Sequence, residues 1–347
     1  MIKFLISIVL VLSPNAVFCN PKIVSMDTSL SEYPSCSNRF FVDGAWEYTL
    51  PDLHGNALKL LNALIKAGVV KMPKYRYKQF LDCYFKDPLH VKKKTLSILK
   101  NAISSIKVAK KVGKIRFIGD ELCDRGSNDY YTLLVIKKLS QIGVNCEFVI
   151  SNHGFEFIQG YENGTYTPIK LSTRYANSVA SLSHLFSKKL ISPGQINSIV
   201  NKCYKPKLKV LSYTPSKDQI TIYTHAPAGL QQIKDLCVDF NVQYKDDTVK
   251  DLSKTIDKIN NVFRENYIKN NLVHTIQKKL NAITWNRQYE GLERPENHKD
   301  YKINFVHGHD SGEQSSRNIY NLEFDNRLGK SIEHGSGKIR FLRARPN

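Results

Sequence analysis

The chain of 347 residues has no Cys-x-x-Cys pair and no densely spaced cysteine framework, which argues against a zinc finger or a small disulfide-stapled scaffold. Its seven cysteines, Cys19, Cys36, Cys83, Cys123, Cys146, Cys203 and Cys237, are scattered, and their pairing stays open. There is no RNP-like aromatic motif to suggest an RNA-binding module. The apolar run Phe4 to Leu12 is too short to cross a bilayer. Acidic side chains are in deficit, 31 against 51 Lys and Arg, for a formal charge of +20. That excess implies attraction to polyanions, whether phosphorylated substrates, nucleic acid or an anionic membrane; the plainer reading is solvated lysines.

What is present is enough for a full core. With 41% hydrophobic and 24% charged residues, the composition is that of one large folded domain, or one domain with insertions, rather than a disordered chain. Residues 1–19 stand apart. Lys3, the run Phe4 to Leu12, Ser13-Pro14-Asn15 and then Val17-Phe18-Cys19 follow the layout of a secretory signal. A short buried strand is the alternative. Residues 20–44, with Pro21, Pro34 and scattered Ser, read as an irregular lead-in to a domain over 45–347.

Five strand-like apolar runs each end at once on Asp, Asn or His. They lead into Pro51-Asp52-Leu53-His54-Gly55-Asn56, Gly119-Asp120-Glu121-Leu122-Cys123-Asp124-Arg125-Gly126, Ser151-Asn152-His153-Gly154, Thr224-His225 and Val306-His307-Gly308-His309. A strand over 114–118, a helical pattern through Leu133, Leu134, Ile136 and Leu139, and a strand over 146–150 make a βαβ unit. Parallel pairing would set Asp120 and Asn152 at neighbouring strand ends, where open α/β sheets bind ligands. Residues 208–213 and 219–223 read as a hairpin, 248–281 as a polar helical stretch, and 302–306, 319–324 and 338–342 as closing strands.

Residues 70–113 interrupt this rhythm. Twelve Lys or Arg face only Asp82 and Asp87, and Leu96, Leu99, Ile103 and Ile106 recur at helical spacing. Pro88 separates that helix from an earlier one carrying Phe80, Leu81 and Tyr84. The segment is a basic helical insertion, either a solvated face or a surface for an anionic partner.

Asp52, His54, Asp120, Asn152, His225 and His309 are oxygen and imidazole donors without a thiolate. Such a mixture suits Mn, Fe or Zn in a two-metal site that lowers the pKa of a water and clamps the oxygens of an in-line displacement. Phosphate monoesters are natural substrates, and their slow uncatalysed hydrolysis asks for on the order of 20 kcal/mol of barrier lowering.

These motifs, in this order, with 32 residues from Asp120 to Asn152, resemble the phosphoprotein phosphatase family of calcineurin-like metallophosphoesterases. The resemblance covers roughly residues 45–325. It implies an α/β fold with a central β-sandwich flanked by helices, and hydrolysis of a phosphorylated protein by a hydroxide held between two divalent cations, Mn first, Fe or Zn otherwise. It also implies that Asp52 and His54 hold one metal, that Asp120 bridges, and that Asn152, His225 and His309 complete the second. His153 would be the general acid oriented by Asp124. Arg125, Asn152 and, by similarity of Trp285-Asn286-Arg287 to a bacterial Trp-x-Arg segment, Arg287 would bind the phosphate. His307 has no counterpart.

Three departures stand out. Pro51 replaces a Gly, Gly154 replaces the acid that usually follows Asn-His, and the 68 residues between Asp52 and Asp120 exceed the family's spacing by about the length of the insertion. The insertion resembles that of the Wip-like effector phosphatases secreted by intracellular bacterial pathogens, which implies export or delivery into a host cytoplasm. The alternatives are a non-catalytic phosphatase-like binder and a basic nuclease; the ending Gly308-His309-Asp310, in place of Gly-His-x-His, ranks nucleic acid last.

Overall fold

The computed structural model describes residues 21–35, 45–166, 176–287, 298–309, 321–323, 325, 327–331 and 335–346. The signal-like segment, Cys19, Cys36 and Asp310 lie outside them. The fold is mixed α/β, with its helices flanking two central sheets. The first has the order β1 (Lys22–Ser29), β12 (Ser336–Ala344), β2 (Glu47–Leu50), β5 (Lys114–Phe117), β6 (Cys146–Val149), β7 (Leu208–Lys209). The second runs β11 (Asn321–Glu323), β10 (Lys302–His307), β9 (Gln219–Tyr223), β8 (Ser212–Pro215).

In the first sheet β2, β5, β6 and β7 are parallel, with Leu50 opposite Phe117 and Phe117 opposite Phe148. All of them therefore end on the same edge, and helices α1 (Ala57–Lys66), α4 (Asp129–Gln141) and α5 (Asn152–Glu162) leave from that edge. Each start is capped by a side chain that the sequence supplies on the spot: Asn56 accepts from the Leu58 and Lys59 amides, Asn128 from Tyr130, and Ser151 from Gly154. In the second sheet β9 and β10 are parallel, with Tyr223 opposite Val306, so His225 and Gly308 leave side by side.

The inner faces of the sheets meet over two kinds of contact. Ile118, Val149, Tyr223, Val306 and Leu342 form a small apolar cluster drawn from both. Beside it lies Arg116, fully buried. Its guanidinium donates to Glu147 at 2.8 Å, Glu47 at 3.0 Å and Thr49 at 3.0 Å, and reaches across to the Tyr213 carbonyl at 3.1 Å and the Tyr223 ring at 3.8 Å. Five donors in a planar fork make arginine suited to such a crossing.

Residues 70–113 are helical, as α2 (Lys74–Tyr84) and α3 (Lys93–Ser104). Tyr77, Phe80, Leu96, Leu99 and Ile103 point inward, whereas most of the lysines face solvent. The two-residue strands β3 (Val70–Lys71) and β4 (Lys107–Val108) pair antiparallel and close the base of the insertion.

Two local readings need correction. The lead-in is not all irregular: Lys22–Ser29 form β1, paired along its whole length with β12 from the far end of the chain. Nor do residues 208–213 form one strand of a hairpin. Leu208–Lys209 belong to the first sheet, and the chain changes sheets over Val210 and Leu211, whose amides both donate to Asn260 Oδ1 while Asn260 Nδ2 donates to the Leu211 carbonyl. A distant asparagine stitches that corner, so no local pattern shows it. Among the described residues Cys83, Cys123, Cys146, Cys203 and Cys237 are free thiols, and no helix is long and apolar enough to cross a membrane.

Arg116→Met would leave two buried carboxylates with only the Lys114 ammonium, 3.3 and 3.5 Å away, and a loss of about 3–5 kcal/mol in urea unfolding is expected. Burial pushes Glu47 and Glu147 up, but Arg116 and Lys114 outweigh it and hold both below the ordinary 4.5. The stability this supplies is therefore full above pH 4.5 and declines as pH falls through the lower folded values. Equal unfolding midpoints for wild type and R116M at neutral pH would contradict the assignment.

Candidate metal centre and catalytic loop

The strand ends are tied to one another before any side chain is considered. The Leu53 amide donates to Gly119 O at 3.2 Å and the Gly55 amide to Asp120 O at 2.7 Å; across the second sheet the Gly308 amide donates to His225 O at 2.8 Å. Two close approaches require glycine. A Cβ on Gly308 would lie 2.0 Å from Asp52 Oδ1, and one on Gly119, whose φ is +133°, would lie 2.3 Å from His225 Nδ1. His54, Asp120, Cys123 and His309 also adopt left-handed backbone, with φ of 56°, 53°, 59° and 68°. Each costs about 1–3 kcal/mol and persists only where the surroundings fix it.

The six candidate ligands converge, all buried. His225 is the hub of one half: Nε2 lies 2.8 Å from Asn152 Oδ1, 3.0 Å from His309 Nδ1 and 3.5 Å from Asp120 Oδ1, and Nδ1 lies 3.6 Å from Asp52 Oδ1. The His309 amide donates to Asp52 Oδ2 at 2.8 Å. In the other half His54 Nδ1 is 3.3 Å from Asp124 Oδ2. Two sets of potential metal-binding atoms result, Asp52 with Asp120 and His225, and His54 with Asp120 and Asp124; Asp120 is common to both. Asp52 falls in the set with His225, and His54 in the set with Asp124.

The donor chemistry fits divalent cations. Asp52 Oδ1, Asp120 Oδ1, Asp124 Oδ1 and His309 Nε2 are buried without a hydrogen-bond partner among the described residues, an arrangement that is costly unless a cation serves them. Burial, then the charge on His225, brings His309 down to about 2, which keeps it a neutral imidazole able to ligate. Burial would lower His225 and His54 as well, but Asp120 and Asp52 lift the first, and Asp325 with Asp124 the second, each to about 9.

Asp124 links the metal centre to the candidate acid. Burial pushes its carboxyl up, yet His153, a hydrogen bond from His54, and Arg125 outweigh this and hold it well below the usual carboxylate range. His153 Nδ1–H donates to the Cys123 carbonyl at 2.6 Å, which turns Nε2 toward Asp124 Oδ1 at 3.7 Å. Arg125 is partly exposed, with Nη1 3.9 Å from Asp124 Oδ1. Arg287 is exposed, and its charge helps to lower His309. His307 is buried, with Nδ1 2.9 Å from Gly308 O, a packing position.

Residues without an obvious motif hold the loop that carries Asp120, Cys123 and Asp124. Ser151 Oγ accepts from both Asp120 N and Gly154 N at 2.9 Å, the Asp129 carboxylate accepts from Cys123 N at 3.0 Å, and Ser178 Oγ from Asp124 N at 3.0 Å. A Cβ on Gly154 would stand 3.0 Å from Ser151 Oγ, 3.3 Å from the Tyr204 hydroxyl and 3.6 Å from Glu121 Oε1, which accepts that hydroxyl. A carboxylate, that of Glu121, therefore already lies beside residue 154. Asp325 is buried with Oδ1 3.5 Å from His54 Nε2, and Lys59 Nζ donates to the Asp52 carbonyl at 2.6 Å. Asp325 follows a strand end like the other candidates and could have been found by the same rule. Lys59 reads only as one more helix cation, and Ser178 carries no signal.

Gly308→Ala tests this packing. The methyl must displace the Asp52 carboxylate, so the variant is expected to fold but to lose most of the melting-temperature rise that Mn gives the wild type. An undiminished rise would contradict the geometry.

Residues 114–330 match the model of the WipA-like phosphatase domain; Asp52 and His54 lie upstream of that span. The crystal structure of the phosphatase domain from the Legionella effector WipB is similar, at 29% identity and a TM-score of 0.69, over 76% of this chain and 98% of that one. No curated protein sequence matches. With well over half its length in the match and its strand ends gathered into one acid and histidine cluster, this chain belongs to the WipA-like phosphatase domain family.

Proposed function

We propose that the protein is a metal-dependent phosphatase of the calcineurin-like kind, acting on phosphorylated proteins and, in view of its likeness to the phosphatase domain of a Legionella effector, delivered into a host cell. The observation that carries the reading is Asp120, shared between two buried acid and histidine groups while His153 and Arg125 approach Asp124 from the side. Asp52, His54, Asp120, Asn152, His225 and His309 would hold two divalent cations, Mn by preference, which when bound activate a water and neutralise phosphate charge.

The remaining chemistry belongs to the chain's own side chains. Arg125, on the exposed margin of the loop, would grip the phosphate oxygens, with Arg287 and the Asn152 amide as further donors. His153 presents Nε2 because Nδ1–H is committed to the Cys123 carbonyl. Asp124 flanks Nε2, with Oδ1 3.7 Å away, and Nε2 is the atom from which a proton would pass to the departing oxygen. Because Cys123, Asp124 and Asp120 are each fixed through backbone bonds to Asp129, Ser178 and Ser151, the acid and the bridging carboxylate are held as one rigid unit.

A panel of peptides bearing phosphoserine, phosphothreonine or phosphotyrosine, assayed with Mn and with chelator, tests this directly. Turnover should require the metal and fall by about 10²–10⁴-fold in His153→Ala, with a loss at least as large in Asp120→Asn. Activity retained in both variants would refute the residue roles. Bound metal with no turnover of any substrate would leave a phosphatase-like binding protein.

A further inference from the structure

The basic insertion plays no part in the chemistry above, yet one corner of it touches the catalytic loop. Ser127, directly after Gly126, donates through Oγ to the Tyr84 carbonyl at 2.9 Å and through its amide to the Tyr84 hydroxyl at 3.4 Å. The short helix that follows, Pro88–His90, is tied to the next layer where Lys188 Nζ donates to the Leu89 carbonyl. Between this corner and helix α6 (Asn177–Ser187) lies a groove of about 920 Å³. Phe85, Lys86 and Leu89 form one wall, Ala180 and His184 belong to the other, and Arg125 lines it too.

Two features of the groove point to its occupant. Phe85 and Leu89 are large apolar side chains left 52% and 58% exposed, although the neighbouring Tyr84 is buried and the Phe85 ring packs edge-on against it, 5.5 Å between centroids. Such side chains beside a preformed cavity mark a contact surface rather than a core. The second is continuity. Arg125, the residue assigned to the substrate phosphate, is also a groove residue, so a phosphoryl group held there would have the rest of its molecule beside this channel. The volume is at the upper end of a ligand pocket and far exceeds what a small phosphate ester would fill.

We propose that this groove is the subsite for the polypeptide next to the phosphorylated residue, and that it selects substrates with an apolar side chain flanking the phosphate. The proposal rests on the phosphoprotein reading above. The insertion then acts as a specificity element: its corner adds an apolar wall to a site whose own loop supplies the charge. Binding energy from this remote contact would be expressed with protein substrates and not with small ones.

Phe85→Ala and Leu89→Ser remove the wall from one side, and Ala180→Trp fills the groove from the other; all three positions are exposed, so folding is not at stake. Each variant is compared with wild type on p-nitrophenyl phosphate and on phosphopeptides carrying Leu, Gly or Glu at each flanking position. The expected result is a preference for Leu at one flank. Each variant should lose about tenfold or more in kcat/KM on that peptide, chiefly through KM, with p-nitrophenyl phosphate turnover within about twofold of wild type. Equal turnover of Leu, Gly and Glu peptides, or an equal loss on both substrate types, overturns the proposal. Turnover of p-nitrophenyl phosphate with no phosphopeptide cleaved by the wild type also overturns it while leaving a phosphatase; no turnover of either defeats the phosphatase reading itself.

Discussion

Carboxylates held out of water must be met by positive charge, and most of this molecule is arranged to meet that demand at one edge of its sheets. Asp52, Asp120, Asp124 and Asp325 are all buried within reach of His54 or His225. Solvation lost at that density costs several kcal/mol per ion, so the cluster is tolerable only with cations among the acids. Protonated His54 and His225 supply part of the balance, and Lys59, buried beneath Asp52, adds to it. Burial lowers Lys59 to about 8, although Asp325 and Asp52 oppose the fall. Divalent metals would supply the balance with fewer groups and better geometry, displacing the histidine protons as they bind.

The same logic runs through the core in a different form. Between the sheets Arg116, helped by Lys114, balances Glu47 and Glu147 and is itself closed off by the Tyr223 ring. That network sits just beneath β5, whose continuation is the loop bearing Asp120. The left-handed residues beyond the strand ends are tied by hydrogen bonds of their own: Asp120 N to Ser151 Oγ, Gly55 N to Asp120 O and His309 N to Asp52 Oδ2.

Much of the site was legible because its signals are local. An apolar run broken by Gly or Pro and followed by Asp, Asn or His says where a strand stops, and parallel pairing then brings such ends together; β2, β5 and β6 do so in register. The insertion was visible for a similar reason, as a change in charge density and period. What escaped depends on contacts between distant segments. Arg116 looks like part of the basic surplus until Glu47 and Glu147 arrive from neighbouring strands, and Ser178 meets Asp124 only through tertiary folding. Residues 208–213 change sheets at Val210 and Leu211 because Asn260 satisfies both amides, a fact absent from either segment alone. The eight-residue β1 was hidden because its partner is near the other end of the chain.

The central claim is that one carboxylate, Asp120, joins two metal positions. Anomalous diffraction from crystals grown with Mn measures it directly. The account requires two peaks about 3.5–4 Å apart, one on the Asp52 and His225 side and one on the His54 side, with the Asp120 carboxylate between them. A single peak, or two peaks with Asp120 outside bonding distance of either, would contradict it.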